Sequence, residues 1–445
     1  MTETPIAAGL LAQLADEPPP KIILNWGLGA DSSAALLYLI EHPEVRDWAL
    51  EELCVVTAMV GDEWTQTGLD ASDCVLPVLR ANGIRYIQLA RSQRKTTKAG
   101  LGVRVLDDSR TPQMLHFSGH YRLSDEMITA GTIPQTGGSR LCSVHAKGQV
   151  IDPVLAAITR GQPFRQLIGY EATELARAIK DTRYNTTLRT GEYPLIDWEW
   201  DRAAAEEYLL KTTGRQWIKS ACVFCPYSLA TAAGRAATFA KFREHPAAGA
   251  RMLWIEHIAL CLNPKQGLIG GRRAIDYIVE AELTEVLDQF RAALHTSEHA
   301  VYELRRLTKP AADPAKKGVR WRAVRAIAHG TRTDMLAHLE QLPGTTELGE
   351  DAITRRIVRD GTYTIDGHAE HFYVAGPAGV EDRKRPGFEM LWRTATLQRH
   401  RHERIPTLGY RGPSGAPRTR SLLWHRLGQS NLGHSPESDN HIYTD

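Results

Sequence analysis

Residues 22–40 of the chain read IILNWGLGADSSAALLYLI. The apolar run at 22–24 predicts a strand, and the apolar stretch at 34–40 predicts a helix. Two glycines between them, Gly27 and Gly29, allow positive φ and a close approach of a ligand to the backbone. A strand, a glycine-containing turn and a helix N-terminus form a common phosphate-binding arrangement, although any α/β domain contains several such turns.

The turn differs from two familiar phosphate-binding motifs. It lacks the Gly-Lys-Ser/Thr of a Walker loop, and Ser32 stands at the third glycine position of G-x-G-x-x-G. Asp31 and Ser32 are residue types that often cap helices, so we expect the helix to begin beside them. The candidate phosphate-binding residues are Gly27, Leu28, Gly29, Ala30, Asp31, Ser32 and Ser33.

Length and composition limit the class of protein. With 445 residues, more than one compact domain is expected, and 42% hydrophobic and 24% charged residues are typical of a globular protein. The net charge of +2 excludes a global basic field, so nucleic-acid binding would need a local basic surface. Residues 1–20 lack the pattern of a signal peptide, and no apolar stretch is long enough to cross a bilayer. We therefore expect a cytoplasmic protein without membrane contact.

Alternating strands and helices follow the turn. Strands are predicted at 53–60, 84–89 and 164–170, with short connections that indicate a parallel sheet with right-handed crossovers. Ligands bind at the carboxyl ends of such strands. This places the Gly27 turn, Asp62-Glu63 and the segment after Leu89 along one rim of the sheet.

Five regions are predicted along the chain. They are an N-terminal extension at 1–20, a nucleotide-binding domain at 21–215, a helical segment with a cysteine pair at 216–300, an α+β region at 301–398 and a partly disordered tail at 399–445. The polar stretch 91–138 predicts a long loop. Residues 362–374 predict a β-hairpin that turns at Asp366-Gly367. The basic segment 301–325 around Trp321 predicts either a solvated helix face or a contact with nucleic-acid phosphates.

Six cysteines are too few for a disulfide framework, and paired thiols in the cytosol more often bind metal or do redox chemistry. Cys222 and Cys225 can chelate one metal from a single turn. Three alternatives remain open from the spacing, which by itself favours zinc. The first is a [4Fe–4S] cluster on Cys142, Cys222 and Cys225, with Cys261 as fourth ligand or with one iron open. The second is a Zn²⁺ site on Cys142, Cys222, Cys225 and His145. The third is a redox dithiol or no site.

Several short segments occur in an order that resembles a known family. They are Gly27 to Ser32, Gly61-Asp62-Glu63-Trp64, Arg140-Leu141-Cys142 with Lys147 and Pro153, Gly169-Tyr170-Glu171 with Arg177, Tyr193 to Trp198, and Cys222 to Pro226. Over about half of the chain this order is similar to the phosphoadenosine phosphosulfate reductase branch of the PP-loop ATP pyrophosphatases, which includes DndC-like and SspD-like proteins of DNA phosphorothioation. Gly27 and Leu28 depart from its Ser-Gly-Gly-x-Asp-Ser signature, since they stand at the first serine and the first glycine.

The resemblance implies an adenine nucleotide alpha hydrolase-like (PP-loop) α/β fold, a parallel sheet with helices on both faces, and an enzyme that splits ATP between its α- and β-phosphates. Asp31 and Asp62 are expected to hold Mg²⁺, with Lys147 as a further catalytic residue. Gly169 and Arg177 join the predicted nucleotide-binding residues. Because many members carry a [4Fe–4S] cluster, the resemblance favours iron–sulfur over Zn²⁺.

Three functions are therefore expected as alternatives. The first is adenylation of a substrate with pyrophosphate release, linked to sulfur transfer through the cluster, with a cysteine desulfurase or another sulfur donor and with DNA or RNA as partners. The second is reduction of a nucleotide sulfate, either phosphoadenosine phosphosulfate or adenylyl sulfate, in the same pocket. The third is a catalytically inactive, zinc-stabilised nucleic-acid-binding protein, which the departures at Gly27 and Leu28 favour.

Overall fold

The computed structural model describes residues 6–134, 136, 140–217, 220–311, 313, 318–364 and 367–402, and only the backbone of 360–364, 367 and 397–402. The described residues up to 398 belong to one compact unit. Within the described residues this unit is built on two β-sheets flanked by helices. The predicted tail beyond residue 402 lies outside the described residues.

The first sheet is mixed and mostly parallel. Its strands are Ile22–Asn25 (β1), Leu53–Met59 (β2), Arg85–Arg91 (β3), Val103–Ser109 (β4), Phe164–Ile168 (β5) and Arg189–Glu192 (β6), in the order β4-β3-β2-β1-β5-β6. All neighbours pair in parallel except β3 and β4, which are antiparallel. The prediction of an α/β class with a largely parallel sheet is confirmed, and the antiparallel edge strand is an addition to it.

Helices cover both faces of this sheet. They are Ala8–Leu11 (α1), Ala30–Glu41 (α2), Thr65–Asp70 (α3), Leu76–Ala81 (α4), Leu123–Ala130 (α5), Leu141–Ser143 (α6), Gln149–Thr159 (α7), Leu175–Asp181 (α8), Pro194–Asp197 (α9) and Arg202–Thr213 (α10). Successive strand residues face opposite sides, so Ile22 and Leu24 enter the core beneath α2 and α10, and Ile23 enters the core beneath α7.

The stretch predicted as a loop at 91–138 contains β4 and α5, and the loop prediction is wrong there. The polar sequence of β4 conceals the strand because its charges are paired internally. Asp108 accepts hydrogen bonds from Arg85 on β3, with Oδ1 2.9 Å from Nε and Oδ2 2.8 Å from NH2. Both side chains are only 3% exposed.

The helical segment follows the first sheet. Its helices are Ala232–Glu244 (α11), Pro246–Leu262 (α12), Ala274–Glu280 (α13) and Thr284–Thr296 (α14). Pro246 is the first residue of α12, and Pro264 lies two residues after its end. Among the described helices, none combines the length and the apolar character of a membrane span.

The second sheet is antiparallel. Its strands are His299–Lys309 (β7), Val319–Gly330 (β8), Thr345–Leu348 (β9), Thr354–Thr364 (β10) and Gly367–Pro377 (β11), in the order β8-β7-β11-β10-β9, and its helices are Arg332–Glu340 (α15) and Phe388–His402 (α16). The predicted hairpin is present and longer than expected, and Asp366 of its turn lies outside the described residues. The helix-face interpretation of the basic segment is wrong, since Ala300, Tyr302 and Leu304 alternate into one core as strand residues.

Candidate functional site

A cleft of ≈ 350 Å³ lies at the carboxyl ends of β1, β2 and β5. Gly29 and Asp31 line it from the turn after β1, Glu63 from the segment after β2, and Gly169 from the segment after β5. The segment that directly follows β3 is not among the lining residues. Connections at the carboxyl edge of a parallel sheet thus form the cleft, as expected for this class of sheet.

The turn after β1 contains a strained residue. Leu28 has φ +60°, in the left-handed region that favours glycine, and its side chain is 3% exposed in the core. A non-glycine residue there costs about 1–2 kcal/mol. The buried side chain of Leu28 points away from the cleft into the protein.

Helix α2 begins at Ala30, with Gly29 as its N-cap, so the prediction that Asp31 or Ser32 caps it is wrong. Both residues lie in the first turn instead. The first N–H groups of a helix have no partners within the helix and attract anions. The N-terminus that borders the cleft at Gly29 and Asp31 therefore supplies donors and a positive dipole end.

The two serine hydroxyls of the turn have structural partners. Ser33 is fully buried and its Oγ accepts from Trp26 Nε1 at 2.8 Å. Ser32 Oγ accepts from the backbone N–H of Gly27 at 3.1 Å and so closes the turn. Of the predicted phosphate-binding residues, Gly29 and Asp31 line the cleft, whereas Gly27, Leu28, Ala30, Ser32 and Ser33 shape the turn behind it.

Asp31 is paired with a residue that sequence reasoning missed. Its Oδ2 accepts from NH2 of Arg202, the first residue of α10, which also lines the cleft. Its Oδ1 is buried and has no hydrogen-bond partner among the described residues. Burial raises the pKa of Asp31 to about 6, although the charge of Arg202 acts to lower it. Nothing in the sequence marks Arg202 as facing the cleft.

The structure does not bring Asp62 into the cleft, contrary to its predicted role in holding Mg²⁺. Asp62 is 7% exposed, and its Oδ2 accepts from the backbone N–H of Ser124 at 2.7 Å, so it caps the N-terminus of α5. Burial raises its pKa. Glu63 lines the cleft instead, because neighbouring residues in extended chain point to opposite sides.

Lys147 lies on a π-helical turn, Val144–Gly148, between α6 and α7. Its Nζ is 3.3 Å from Glu63 Oε1, and the Glu63 carboxylate raises the pKa of Lys147. Single π-helical turns are frequent at functional sites because the extra residue reorients nearby side chains. Lys147 therefore remains a cation that faces the cleft, held by Glu63.

Two further arginines line the cleft and lie over aromatic rings. The Arg177 guanidinium is 4.4 Å from the centre of the Tyr170 ring, which stacks on Tyr193 at 5.8 Å. Arg140 lies 4.2 Å from the centre of the Tyr227 ring. Such contacts fix the orientation of a guanidinium while leaving N–H groups for an anion.

Gly169 is required by close packing rather than by its backbone angles. A Cβ at this position would lie 2.8 Å from the Cα of Ser32 and 2.9 Å from its N. The segment after β5 therefore touches the first turn of α2 directly. Any larger residue would push that helix N-terminus out of place.

Three cysteines line one part of the same cleft: Cys142, Cys222 and Cys225. A turn holds the pair together, with the N–H of Cys225 donating to the carbonyl of Cys222 at 3.0 Å. Burial raises the pKa of the Cys142 and Cys222 thiols. Without a metal these two thiols are therefore protonated at neutral pH.

Cys261 does not join the other three. It is 1% exposed on α12 and lies in the core against the second sheet, where a Cβ on Gly376 would come within 2.8 Å of its Sγ. His145, the fourth ligand of the zinc alternative, has Nδ1 2.8 Å from Glu126 Oε1 and is not among the residues that line the cleft. The structure therefore favours neither predicted fourth ligand.

The donor set of the cleft suits a soft metal centre, since three thiols from two segments meet there. Within the described ranges, however, no group of three or more His, Cys, Asp or Glu side chains is arranged to hold a metal ion. The thiols share a cleft without being assembled into a coordination sphere.

Several basic side chains of the segment 301–325 form ion pairs or hydrogen bonds with other groups of the protein. Arg306 pairs with Glu370, Arg305 with Glu389 and Arg325 with Glu303. Arg322 donates to the carbonyls of Ala130 and Gly131. Lys316 and Lys317 lie outside the described residues. These pairings leave less free charge for nucleic-acid phosphates than the sequence suggests.

Comparison of the chain with protein-family models, curated proteins and solved structures finds no match. The chemistry of the cleft is therefore the basis for assigning a function.

Proposed function

We propose that the cleft binds ATP and that the protein is a PP-loop-type enzyme, which transfers the adenylyl group to a substrate and releases pyrophosphate. One observation carries the proposal. The N-terminus of α2 borders a cleft at the carboxyl edge of a parallel sheet, and four cations line the same cleft: Arg140, Lys147, Arg177 and Arg202. Helix N–H groups and basic side chains are the usual partners of phosphate oxygens.

The cleft volume also supports a nucleotide-sized ligand. Small-molecule sites occupy roughly 300–1,000 Å³, and this cleft measures ≈ 350 Å³. Tyr170 lines the cleft next to its cations, and contacts with Arg177 and Tyr193 hold its ring in place. A ligand with a flat base and an anionic tail matches that combination.

In the proposed reaction, a nucleophilic oxygen of the substrate attacks the α-phosphorus. A bond forms between them, and the bond to the bridging oxygen breaks as pyrophosphate leaves. Lys147 and Arg202 stabilise the charge that develops on the leaving group. Glu174 also lines the cleft but pairs with Arg177. Of the lining carboxylates, Asp31 and Glu63 would hold Mg²⁺, which supplies neutralisation of phosphate charge when bound.

Cys142, Cys222 and Cys225 would hold a [4Fe–4S] cluster, or alternatively Zn²⁺, beside the nucleotide. The cluster, when bound, supplies sulfur-carrying or electron-carrying chemistry. With Cys261 buried elsewhere, the proposed cluster has three ligands from this chain. Sulfur would come from a cysteine desulfurase or another donor, and the adenylated acceptor would be a nucleic acid or a small molecule.

The test is an assay of pyrophosphate release from Mg-ATP by anaerobically purified protein, combined with iron and zinc analysis. We expect release that requires Asp31, and iron that is lost when Cys222 and Cys225 are both changed to serine. Protein that is folded but does not bind ATP would contradict the proposal. Zinc without iron, together with no turnover, would favour an inactive nucleic-acid-binding protein.

A second function, reduction of a nucleotide sulfate, is favoured by the pairing of the lining carboxylates. Asp31 is paired with Arg202 and Glu63 with Lys147, so both are neutralised without a metal ion. Three thiols in the same cleft offer reducing groups. Sulfite release from adenylyl sulfate or its 3′-phosphate, with a dithiol reductant and without ATP, would support this alternative.

A further inference from the structure

The glycine turn and the cysteine-bearing segment meet at Ser220. Its hydroxyl donates to the carbonyl oxygen of Gly27 at 3.2 Å. Its Cβ fills the space beside Gly29, where an added Cβ would lie only 2.9 Å away. A residue two positions before Cys222 therefore contacts both ends of the Gly27–Gly29 turn.

The same hydroxyl has a second acceptor. Ser220 Oγ lies 3.4 Å from Glu63 Oε1, the oxygen that also accepts from Lys147 Nζ. A serine hydroxyl carries one hydrogen, so at any moment it makes a full hydrogen bond to only one of the two oxygens. Ser220 thus has two alternative states, one tied to the turn and the other tied to Glu63.

Glu63 connects the second state to the cysteines. Its backbone forms an antiparallel β-bridge with Cys222. Its carboxylate holds Lys147, which lines the cleft together with Cys142 and Cys222. A change in the partners of Glu63 therefore alters both the position and the charge of the groups around Cys222.

We infer that Ser220 is a positioning residue. It couples occupancy of the Gly27–Gly29 turn to the position and the charge of the groups around Cys222. The inference rests on the proposed function, because it takes the phosphate tail of ATP as the ligand of the turn. A phosphate at the turn attracts Lys147 away from Glu63, and the freed carboxylate then accepts the Ser220 hydroxyl. Coupling between two sites is reciprocal, so a change at Cys222 must alter the affinity for ATP.

A double-mutant cycle on the full chain tests this coupling. Mg-ATP and inorganic pyrophosphate are titrated calorimetrically into the wild type, Cys222→Ser, Ser220→Ala and the double variant. We expect Cys222→Ser to change the Kd by about 5-fold or more when Ser220 is present, and to leave it unchanged in the Ser220→Ala background. Equal effects in both backgrounds would overturn the coupling, because the two residues would then act independently.

Two further variants keep the test decisive. Ser228→Ala removes another serine that lines the cleft and should leave the effect of Cys222→Ser intact. Should Ser220→Ala fail to fold, Glu63→Gln removes the carboxylate charge and is expected to abolish the same effect. If the wild type binds ATP and the effects simply add, the coupling fails and the proposed function stands. If the wild type binds neither ATP nor pyrophosphate, both the coupling and the proposed function are contradicted.

Discussion

The cleft of the first sheet and the second, antiparallel sheet use basic side chains in opposite ways. In the cleft, Lys147 and Arg202 pair with carboxylates that line the same space. In the second sheet, Arg306 and Arg355 pair with Glu370 and Asp351. Each also donates to a carbonyl of the last turn of α12, Arg306 to Leu262 at 2.6 Å and Arg355 to Leu260 at 2.7 Å. Arg322 does the same for α5.

The role of a basic residue therefore depends on the group that it contacts. The last carbonyls of a helix have no partners within the helix and carry partial negative charge, so an arginine there satisfies acceptors and the dipole together. Arginines in that role attach the second sheet to α12 and α5 and are not free for a ligand. In the cleft, the partners are carboxylates that a phosphate or a metal ion can displace.

Removing an arginine from the second sheet should give the largest effect on stability. Arg355 and Asp351 are 5% and 3% exposed and form two contacts, at 2.6 and 3.0 Å. We expect Arg355→Leu to lower the free energy of unfolding by about 3–5 kcal/mol, because Asp351 stays buried without its partner. Urea denaturation followed by circular dichroism measures the change.

The control for this prediction removes both charges. Arg355→Leu combined with Asp351→Leu leaves no unpaired ion, and a buried pair replaced by apolar residues is often neutral. We expect the double variant to recover part of the stability. A double variant that is less stable than Arg355→Leu would mean that Asp351 stabilises the protein through another contact, such as the hydrogen bond that it accepts from the N–H of Ile353 at 3.1 Å.

In the cleft, replacing a paired residue should lower the activity rather than the stability. We expect Asp31→Asn to reduce pyrophosphate release on the order of 10²-fold or more, because it removes a negative ligand and its pairing with Arg202. Thermal unfolding should show an intact fold. The measurement is initial pyrophosphate release at saturating Mg-ATP.

Asp62→Asn is the matched control, since Asp62 has the same side chain and is also buried. It caps α5 through the N–H of Ser124, so we expect a stability loss of about 1 kcal/mol and nearly full activity. A loss of activity as large as that of Asp31→Asn would show that Asp62 acts at the nucleotide after all.

Much of the first sheet could be predicted because its strands are short apolar runs between turn residues. The run 22–24, the strand at 53–59 and the helix after Gly29 all follow from local periodicity. β4 could not be predicted, since its charges are neutralised by a partner on another strand. The short helix Pro194–Asp197 begins with a proline, which suits a first helical turn but also occurs in extended chain, so its four residues do not predict a helix.

The candidate site was partly accessible to sequence reasoning for the same reason. The strand pattern places Asp31 at the rim, the spacing groups Cys222 with Cys225, and Lys147 is predicted through the resemblance; all four line the cleft. Neighbouring residues of the extended chain after β2 point to opposite sides, so only one of Asp62 and Glu63 faces the cleft. Composition does not reveal which of the two it is. Arg202 and Ser220 reach the cleft from distant segments and carry no local signal.

The pairing of Asp31 with Arg202 predicts how stability and activity depend on pH. This dependence distinguishes an ion pair that a ligand can displace from one that only stabilises the fold. The pKa of Asp31 is raised from 3.8 to about 6 by burial. Its effect on stability is therefore most favourable at low pH, where it is protonated, and is lost as the pH rises through about 6. Activity that needs the carboxylate runs the other way and rises through the same range.

Arg202→Gln should move that activity profile to higher pH by about one unit, because it removes the neighbouring positive charge that lowers the pKa of Asp31. The measurement is pyrophosphate release across the neutral range at saturating Mg-ATP. In the Asp31→Asn background the shift should vanish. A profile that moves to lower pH in Arg202→Gln would mean that the titrating group is not Asp31.

The smallest effect is expected at an exposed arginine of the second sheet. Arg325 is 65% exposed and lies 2.8 Å from Glu303, which also pairs with His371 at 3.1 Å and lies near Arg305. Arg325→Ala leaves Glu303 with its other partners, so we expect a change of about 0–1 kcal/mol in the free energy of unfolding. Urea denaturation of the full chain measures it. A loss close to that of Arg355→Leu would show that surface pairs also hold this sheet together, and burial would no longer separate the structural arginines from the rest.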